Sequence, residues 1–186
     1  MPEDRPILHS SLVTHHSSLV VMHSGNIIKL GDNIDTDVII PTQYMALETI
    51  QDMLKYAFSP LRDDIPSLAK PGDILVCGRD FGCGSSREQA PEIIKALGMY
   101  CVIAKSFARI FYRNAINNGL LLIENAEIYD KVQEGQSLSV DMEKHQLVTQ
   151  DGQEVAFGKI PQMLLDMINS GGLVNYYKAQ NRSQRA

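Results

Sequence analysis

Three short apolar runs, separated by two segments of helical pattern, constrain the fold of this chain more than any other feature of its sequence. The runs span residues 74–77, 100–104 and 120–123. Each is continuously apolar, which is typical of strands buried on both faces of an α/β sheet. Residues 86–97 and 107–118 have the apolar spacing of helices, and Gly119 is a typical residue to end the second helix. In the first helix, Pro91 leaves a second interpretation open, in which it splits off a first turn and the helix restarts there. The order strand, helix, strand, helix, strand predicts parallel pairing with right-handed crossovers.

The segments on either side add elements of a different character. Shorter apolar and alternating runs, set off by glycine, proline and aspartate, predict further strands, and the Asp151-Gly152 pair predicts a hairpin turn. We therefore expect a single α/β domain with a partly parallel central sheet, since no long linker divides the chain. These further predicted elements are a strand at 27–30, an apolar run at 38–40, a helix at 48–58, strands at 137–142, 146–149 and 153–156, and a helix at 161–168.

The two ends of the chain differ from its middle. Residues 1–23 hold four of the five histidines, several serines and no clear periodicity. We expect residues 1–21 to be a disordered extension or a remnant of cloning rather than a metal-binding tract, because no carboxylate or cysteine cluster accompanies the histidines. The folded domain is predicted at 22–177, followed by a polar tail at 178–186. The acidic start is a poor match to a signal peptide, and no run approaches the roughly 18 apolar residues of a membrane span, so we expect a cytoplasmic protein.

Charge and cysteine content exclude several classes of function. The formal net charge is −5, Trp is absent and no basic patch stands out, so nucleic acid is a poor candidate partner. The three cysteines, Cys77, Cys83 and Cys101, have no disulfide-like or cluster-like spacing. We expect this chain to bind no metal or cofactor itself, so any iron–sulfur cluster that its chemistry needs would come from another chain.

The glycine-rich loop at 78–89 is the most informative segment for function. It follows a predicted strand and precedes a predicted helix, an arrangement that can bind an anion through backbone N–H groups. Arg79 and Arg87 could add planar donors for a carboxylate. A simpler interpretation is also open, because Ser85 with Glu88, or Ser86 with Gln89, matches a capping box. Neither the dinucleotide-binding nor the P-loop spacing is present.

Two other segments are candidates for the same site. In 31–37, oxygen-bearing side chains alternate as in a calcium loop, but the glycine and distal glutamate of that loop are missing, which favours a turn with Asx hydrogen bonds. In 105–110, Ser106 is predicted to cap a helix that follows a strand. Because ligands in α/β sheets bind at the carboxyl ends of parallel strands, this segment and the glycine loop are expected to lie side by side.

Taken together, 31–41, 78–89 and 104–120 resemble one family in their order and spacing. They are similar to the small subunit of 3-isopropylmalate dehydratase, which resembles the swivelling C-terminal domain of aconitase. The resemblance covers about residues 22–177. It implies a swivelling β/β/α domain, a dehydration and rehydration of a 2-hydroxy acid, and a larger partner subunit whose [4Fe–4S] cluster acts on the substrate.

The resemblance also implies roles for individual residues. Ser85 matches the serine that serves as catalytic base, and Arg87 matches the neighbouring arginine that holds a substrate carboxylate. Asp37 matches an active-site aspartate, and Ser86 is a neighbouring substrate binder or a helix cap. Deprotonating carbon next to a carboxylate is difficult, so a serine base needs strong local stabilisation.

The loop after Pro41 is where relatives of this family sort their substrates. Relatives that act on tricarboxylates place an arginine near Ala46, and this chain has none there. Tyr44 precedes Met45, Ala46 and Leu47, which offer a small apolar pocket suited to an isopropyl or methyl group, so isopropylmalate is preferred over homoaconitate. Methyl-substituted malates stay open, as does a non-catalytic carboxylate-binding module. A nucleotide-binding module ranks last.

Overall fold

The computed structural model of the protein describes residues 21–183, and these form one seven-stranded sheet in the order β4-β3-β2-β1-β5-β6-β7. Strands β1 to β4 pair in parallel, whereas β1 with β5, β5 with β6, and β6 with β7 pair antiparallel. The partly parallel sheet predicted from sequence is thus confirmed. The strands are β1 (Met22–Leu30), β2 (Ile74–Cys77), β3 (Cys101–Ala104), β4 (Leu121–Glu124), β5 (Ser137–Asp141), β6 (Gln146–Thr149) and β7 (Glu154–Ala156).

Eight α-helices accompany the sheet in this part of the chain. Two of them, α4 and α5, connect β2 to β3 and β3 to β4 as expected. The last helix reaches Ser183, so residues 178–183 of the predicted tail are helical. The helices are α1 (Thr36–Ile39), α2 (Ile50–Leu54), α3 (Ile65–Leu68), α4 (Gln89–Ala96), α5 (Arg109–Asn117), α6 (Ile128–Lys131), α7 (Gln162–Asn169) and α8 (Leu173–Ser183), with a 3₁₀ turn at Thr42–Tyr44.

The parallel strands are buried on both faces, as their continuous apolar sequences predict. In β2, Leu75 and Cys77 pack with helices α1 to α5, whereas Ile74 and Val76 pack with residues of β5, β6 and β7. All four side chains are inaccessible to solvent. The antiparallel half therefore covers one face of the parallel half, together with residues of α6 and α7, and helices α1 to α5 cover the other, which is a β/β/α arrangement.

Helix α4 begins later than its sequence pattern predicts. It starts at Gln89, with Glu88 as the flanking residue and no side-chain cap, so neither predicted capping box forms. Pro91 supplies the physical reason, because a proline ring clashes with the carbonyl of the residue four positions earlier, here Arg87. Residues 86–88 are consequently loop rather than helix.

The beginning of the chain shows two further differences. The apolar run at 38–40 is not extended, because Val38 and Ile39 belong to the one-turn helix α1. Strand β1 begins at Met22, and its residues 22–26 pair with β5. The expectations for residues 1–20 and 184–186 lie outside the described residues. Within residues 21–183, no helix has the length and apolar character needed to cross a membrane.

Candidate active site

Loops at the carboxyl ends of β1, β2 and β3 meet at one edge of the sheet. The Gly82 N–H donates to the Ile34 carbonyl at 2.8 Å, and the Phe81 N–H donates to the Ser106 carbonyl at 3.0 Å. The Ala108 N–H in turn donates to the Phe81 carbonyl at 3.0 Å. The glycine loop therefore lies between the other two candidate segments, and its predicted position beside residues 105–110 is confirmed.

Two glycines in this loop are required by close packing. Gly82 has φ +78°, and a Cβ there would lie 2.1 Å from the Phe111 ring. Gly84 has φ +90°, and its Cβ would lie 2.4 Å from an Asp35 carboxylate oxygen. Both positions combine a left-handed backbone with a contact that only glycine permits.

Ser85 lies in the exposed part of the glycine loop, four residues before α4 begins. Its backbone N–H donates to Thr36 Oγ1 at 3.1 Å, and its Oγ lies 3.3 Å from the same Thr36 oxygen. The Thr36 N–H donates to the Cys83 carbonyl at 2.9 Å. The serine hydroxyl is thus accessible to a ligand, while its loop is fixed by hydrogen bonds to α1, in the segment that follows β1.

Arg87 is held in a network with the acidic segment. Its Nη1 forms an ion pair with Asp37 and donates to the Ile40 carbonyl at 3.1 Å, while its Nη2 donates to Thr42 Oγ1 at 2.9 Å. Thr42 Oγ1 also donates to Asp37 Oδ1 at 2.7 Å. The Arg87 side chain is only 14 % exposed, whereas that of Asp37 is 55 % exposed. A mostly buried guanidinium is therefore fixed in position at the site's surface.

Two groups at the site, the Asp37 carboxyl and the Cys83 thiol, have pKa values shifted from their usual ones. Hydrogen bonds from Arg87 and Thr42 lower the pKa of Asp37 below its usual value, so this carboxylate is ionised at neutral pH. Burial raises the pKa of the Cys83 thiol, and the negative charges of Asp35 and Asp80 raise it further. Cys83 therefore carries less thiolate at pH 7 than an ordinary cysteine, which makes it a poor nucleophile.

Known proteins with this arrangement are similar over nearly the whole described chain. The sequence pattern of the aconitase C-terminal domain family matches residues 32–128. A 3-isopropylmalate dehydratase small subunit from Lachnospira eligens is 58% identical over 152 residues, which is 82% of this chain and 92% of that protein. The chain belongs to the family of 3-isopropylmalate dehydratase small subunits.

Two further similarities are to proteins described from Methanocaldococcus jannaschii. An isopropylmalate/citramalate isomerase small subunit is 46% identical over 151 residues, covering 81% of this chain and 90% of that protein. A crystal structure of 3-isopropylmalate dehydratase superposes with a TM-score of 0.83 at 38% identity, covering 88% of this chain and 98% of that one. The aconitase-type fold expected from the resemblance is confirmed.

Three other residues singled out from the sequence of this family member are Ser86, Arg79 and Ser106. Ser86 is exposed, and its carbonyl accepts a hydrogen bond from Asn114 Nδ2 at 3.2 Å. Arg79 is exposed, and its backbone N–H donates to Asp32 Oδ1 at 2.6 Å. The predicted cap role of Ser106 is wrong: α5 has Ala108 as its flanking residue, and Ser106 Oγ accepts from the Asp80 N–H at 2.9 Å.

The predicted substrate loop begins next to the Arg87 network, at Thr42. Tyr44 stacks on Tyr56 with ring centroids 3.7 Å apart. Met45 and Leu47 are half-buried against the helix-side core, and Ala46 is exposed. Part of the apolar surface expected to face a substrate therefore also packs on the domain itself.

The acidic segment forms the Asx turn that its sequence indicates. Asp35 accepts a hydrogen bond from the Asp37 N–H at 2.7 Å and is the N-cap of α1. Cys77 and Cys101 are buried, and Cys83 is partly buried. Within residues 21–183 no group of three or more His, Cys, Asp or Glu side chains could hold a metal ion. These residues thus do not fit an iron–sulfur cluster.

Sequence reasoning missed Thr36, Thr42 and Asn114. Thr36 and Thr42 lie in the segments that carry the family resemblance, but a threonine between acidic residues or after a proline has no distinctive signal of its own. Their importance comes from contacts 49 and 45 residues away in the chain. Asn114, on α5, reaches the glycine loop across 28 residues.

Proposed function

We propose that this chain is the small subunit of a hydro-lyase that interconverts 2-isopropylmalate and 3-isopropylmalate by dehydration and rehydration, a step of leucine biosynthesis. The observation that supports this most is the exposed Ser85 on the same loop as Arg87, which is fixed by Asp37, in a chain 58% identical to a 3-isopropylmalate dehydratase small subunit. The enzyme is active only as a heteromer with a larger subunit, either a heterodimer or a higher assembly, in the cytoplasm.

In this proposal Ser85 is the base that takes the proton from substrate carbon. Arg87 binds the carboxylate next to that carbon, since its guanidinium is already oriented by Asp37, Thr42 and the Ile40 carbonyl. A fixed arginine stabilises the negative charge that develops as the C–H bond breaks. Removal of one such hydrogen-bond donor typically lowers kcat about 100- to 1000-fold. Asp37 acts at the active site through Arg87, and Ser86 and Arg79 lie on the same loop as further substrate contacts.

The other half of the reaction, loss of hydroxide, needs a Lewis acid that residues 21–183 are not built to hold. We assign it to a [4Fe–4S] cluster on the large subunit, which would polarise the substrate hydroxyl when bound. The name "small subunit" carried by the relatives supports the existence of such a partner. The exposed edge that carries Ser85 gives the partner an open surface to cover.

The substrate is most consistent with a dicarboxylate that has a small apolar branch. The substrate loop has no positively charged side chain among its residues Tyr44, Met45, Ala46 and Leu47. A third substrate carboxylate would therefore lack a partner there. The Methanocaldococcus jannaschii relative is named for both isopropylmalate and citramalate, so a methyl-branched malate is the second candidate.

Reconstitution tests the proposal. The full chain is combined with the cluster-loaded large 3-isopropylmalate dehydratase subunit of the same cell, and turnover of 3-isopropylmalate, citramalate and homoaconitate is compared. We expect activity only in the mixture, with the highest kcat/KM for 3-isopropylmalate. Higher kcat/KM for homoaconitate would contradict the substrate assignment. Absence of turnover, with tight organic-acid binding by this chain alone, would instead establish a non-catalytic carboxylate-binding module.

A further inference from the structure

Thr36 is a buried polar residue whose hydroxyl is directed at Ser85. Thr36 as a whole is only 1% exposed to solvent. Thr36 Oγ1 accepts from the Ser85 N–H at 3.1 Å, lies 3.3 Å from Ser85 Oγ, and donates toward the Ser85 carbonyl at 3.4 Å. One hydroxyl thus contacts three polar atoms of a single residue 49 positions away.

A purely local role does not explain this arrangement. Thr36 is the first residue of α1 and follows directly after the N-cap position, where a side-chain oxygen often caps a helix. Here the cap is Asp35, whose carboxylate accepts from the Asp37 N–H at 2.7 Å. The remaining contact of Thr36 Oγ1, to Asp35 Oδ1, is long at 3.5 Å. The hydroxyl is therefore available to Ser85 rather than needed by its own helix.

We propose that Thr36 is the positioning residue for Ser85, holding its loop and donating a hydrogen bond to Ser85 Oγ when that oxygen carries negative charge. This inference rests on the proposed function of Ser85 as base. The Ser85 N–H occupies an acceptor position of Thr36 Oγ1, so the threonine's single proton is left to donate. An anionic oxygen is a stronger acceptor than a carbonyl, so the hydroxyl turns from the Ser85 carbonyl to Ser85 Oγ.

The proton balance of the step is simple. Ser85 Oγ, as the anion, takes the proton from substrate carbon, so a C–H bond breaks and an O–H bond forms. The electron pair stays with the substrate carbon and is used as hydroxide departs. Thr36 keeps its own proton throughout and changes only the acceptor of its hydrogen bond. Its contribution is stabilisation of the base before proton transfer, as a preorganised donor in a site shielded by the partner.

Two matched pairs of side chains isolate the hydroxyl. Thr36→Val removes it with nearly unchanged shape, and Thr36→Ser compared with Thr36→Ala differs only by the hydroxyl. Each variant is assembled with the cluster-loaded large subunit, and kcat, KM, thermal unfolding midpoint and assembly are measured. We expect kcat to fall about 100- to 1000-fold in the valine and alanine variants, with KM within about threefold. The serine variant should keep kcat within about fivefold to tenfold.

The pH profile distinguishes positioning of a base from simple structural support. Without the donor the Ser85 anion forms at higher pH, so the kcat of the alanine variant should still rise with pH where wild type and the serine variant are level. Equal kcat and an equal profile in the serine and alanine variants would overturn the inference, even if the valine variant fails to assemble. A wild-type mixture without turnover would overturn the proposed function together with it, whereas loss of activity in Ser85→Ala but not in Thr36→Ala would overturn this inference alone.

Discussion

In the middle of the sheet, the residues of β2 and β3 lose nearly all contact with solvent, whereas Asp37 and Ser85, in the segments that follow β1 and β2, are exposed. The middle is held by apolar contacts on both faces. The edge is held by hydrogen bonds that link loops distant in sequence, such as Ser85 with Thr36. The comparison teaches that substitutions in the two regions should fail differently: in the middle they cost stability, and at the edge they cost activity.

The largest expected effect on stability is in the middle of the sheet. Leu75 is completely buried, so Leu75→Ala should lower the free energy of unfolding by about 3–5 kcal/mol through lost burial and a residual cavity. Chemical denaturation measures this change. Leu61, at 49% exposure, is the control, and Leu61→Ala should change stability by less than about 0.5 kcal/mol. Equal losses in the two variants would contradict the description of the core.

Gly82 lies where the two regions meet. Gly82→Ala places a methyl group against Phe111, and Gly152→Ala has a similar positive φ but nothing within 4 Å. We expect both to lose stability from the left-handed backbone, with a further loss of about 1–3 kcal/mol only at Gly82 because of overpacking. Denaturant titration of both variants gives the difference. Identical losses would show that the loop does not pack on α5 as described.

At the edge, Arg87 controls the protonation of Asp37. The pKa of Asp37 is lowered from 3.8, so its contribution to stability is present above pH 3.8 and is lost as the pH falls through the lowered value. Arg87→Gln should move this pKa back toward 3.8 and reduce kcat/KM, with little change in stability at neutral pH because the Asp37 carboxylate is 55 % exposed and stays hydrated without its partner. NMR titration of the Asp37 carboxyl measures the shift. An Asp37 pKa that is the same in Arg87→Gln and in the wild type would show that Arg87 and Asp37 do not form the ion pair described.

The smallest effect concerns the reactivity of Cys83. Because its thiol pKa is raised, less thiolate is present at neutral pH, so alkylation by iodoacetamide should be slow at pH 7.5 and should still be accelerating above pH 9. The unfolded protein is the control, since its cysteines have ordinary thiol pKa values. Faster alkylation of Cys83 in the folded protein than in the unfolded one at pH 7.5 would contradict the local electrostatics.

Sequence reasoning succeeded where the constraint was apolar and local. Continuous apolar runs such as 74–77 are typical of strands buried on both faces, and the structure places them there. Positive φ at Gly119 likewise follows from its place after α5. The α/β class and the meeting of the glycine loop with residues 105–110 were predictable because parallel strands share a carboxyl edge.

The sequence could not reveal features that depend on distant contacts. Ser106 has the form of a helix cap but instead accepts from Asp80, 26 residues earlier. Residues 22–26 of β1 lack an apolar pattern because they pair with β5 without being fully buried. The late start of α4 has a local cause instead. The steric effect of Pro91 opposes the two apparent capping boxes, and the helix begins only at Gln89.

The most direct test of the account is the kcat of Ser85→Ala in the complete heteromer. The exposed hydroxyl makes no packing contribution that the core needs, so the variant should fold, assemble with the large subunit and unfold within about 2 °C of wild type. We predict that its kcat for 3-isopropylmalate falls by about 1000-fold or more. A kcat within about tenfold of wild type in the assembled variant would show that the base lies elsewhere.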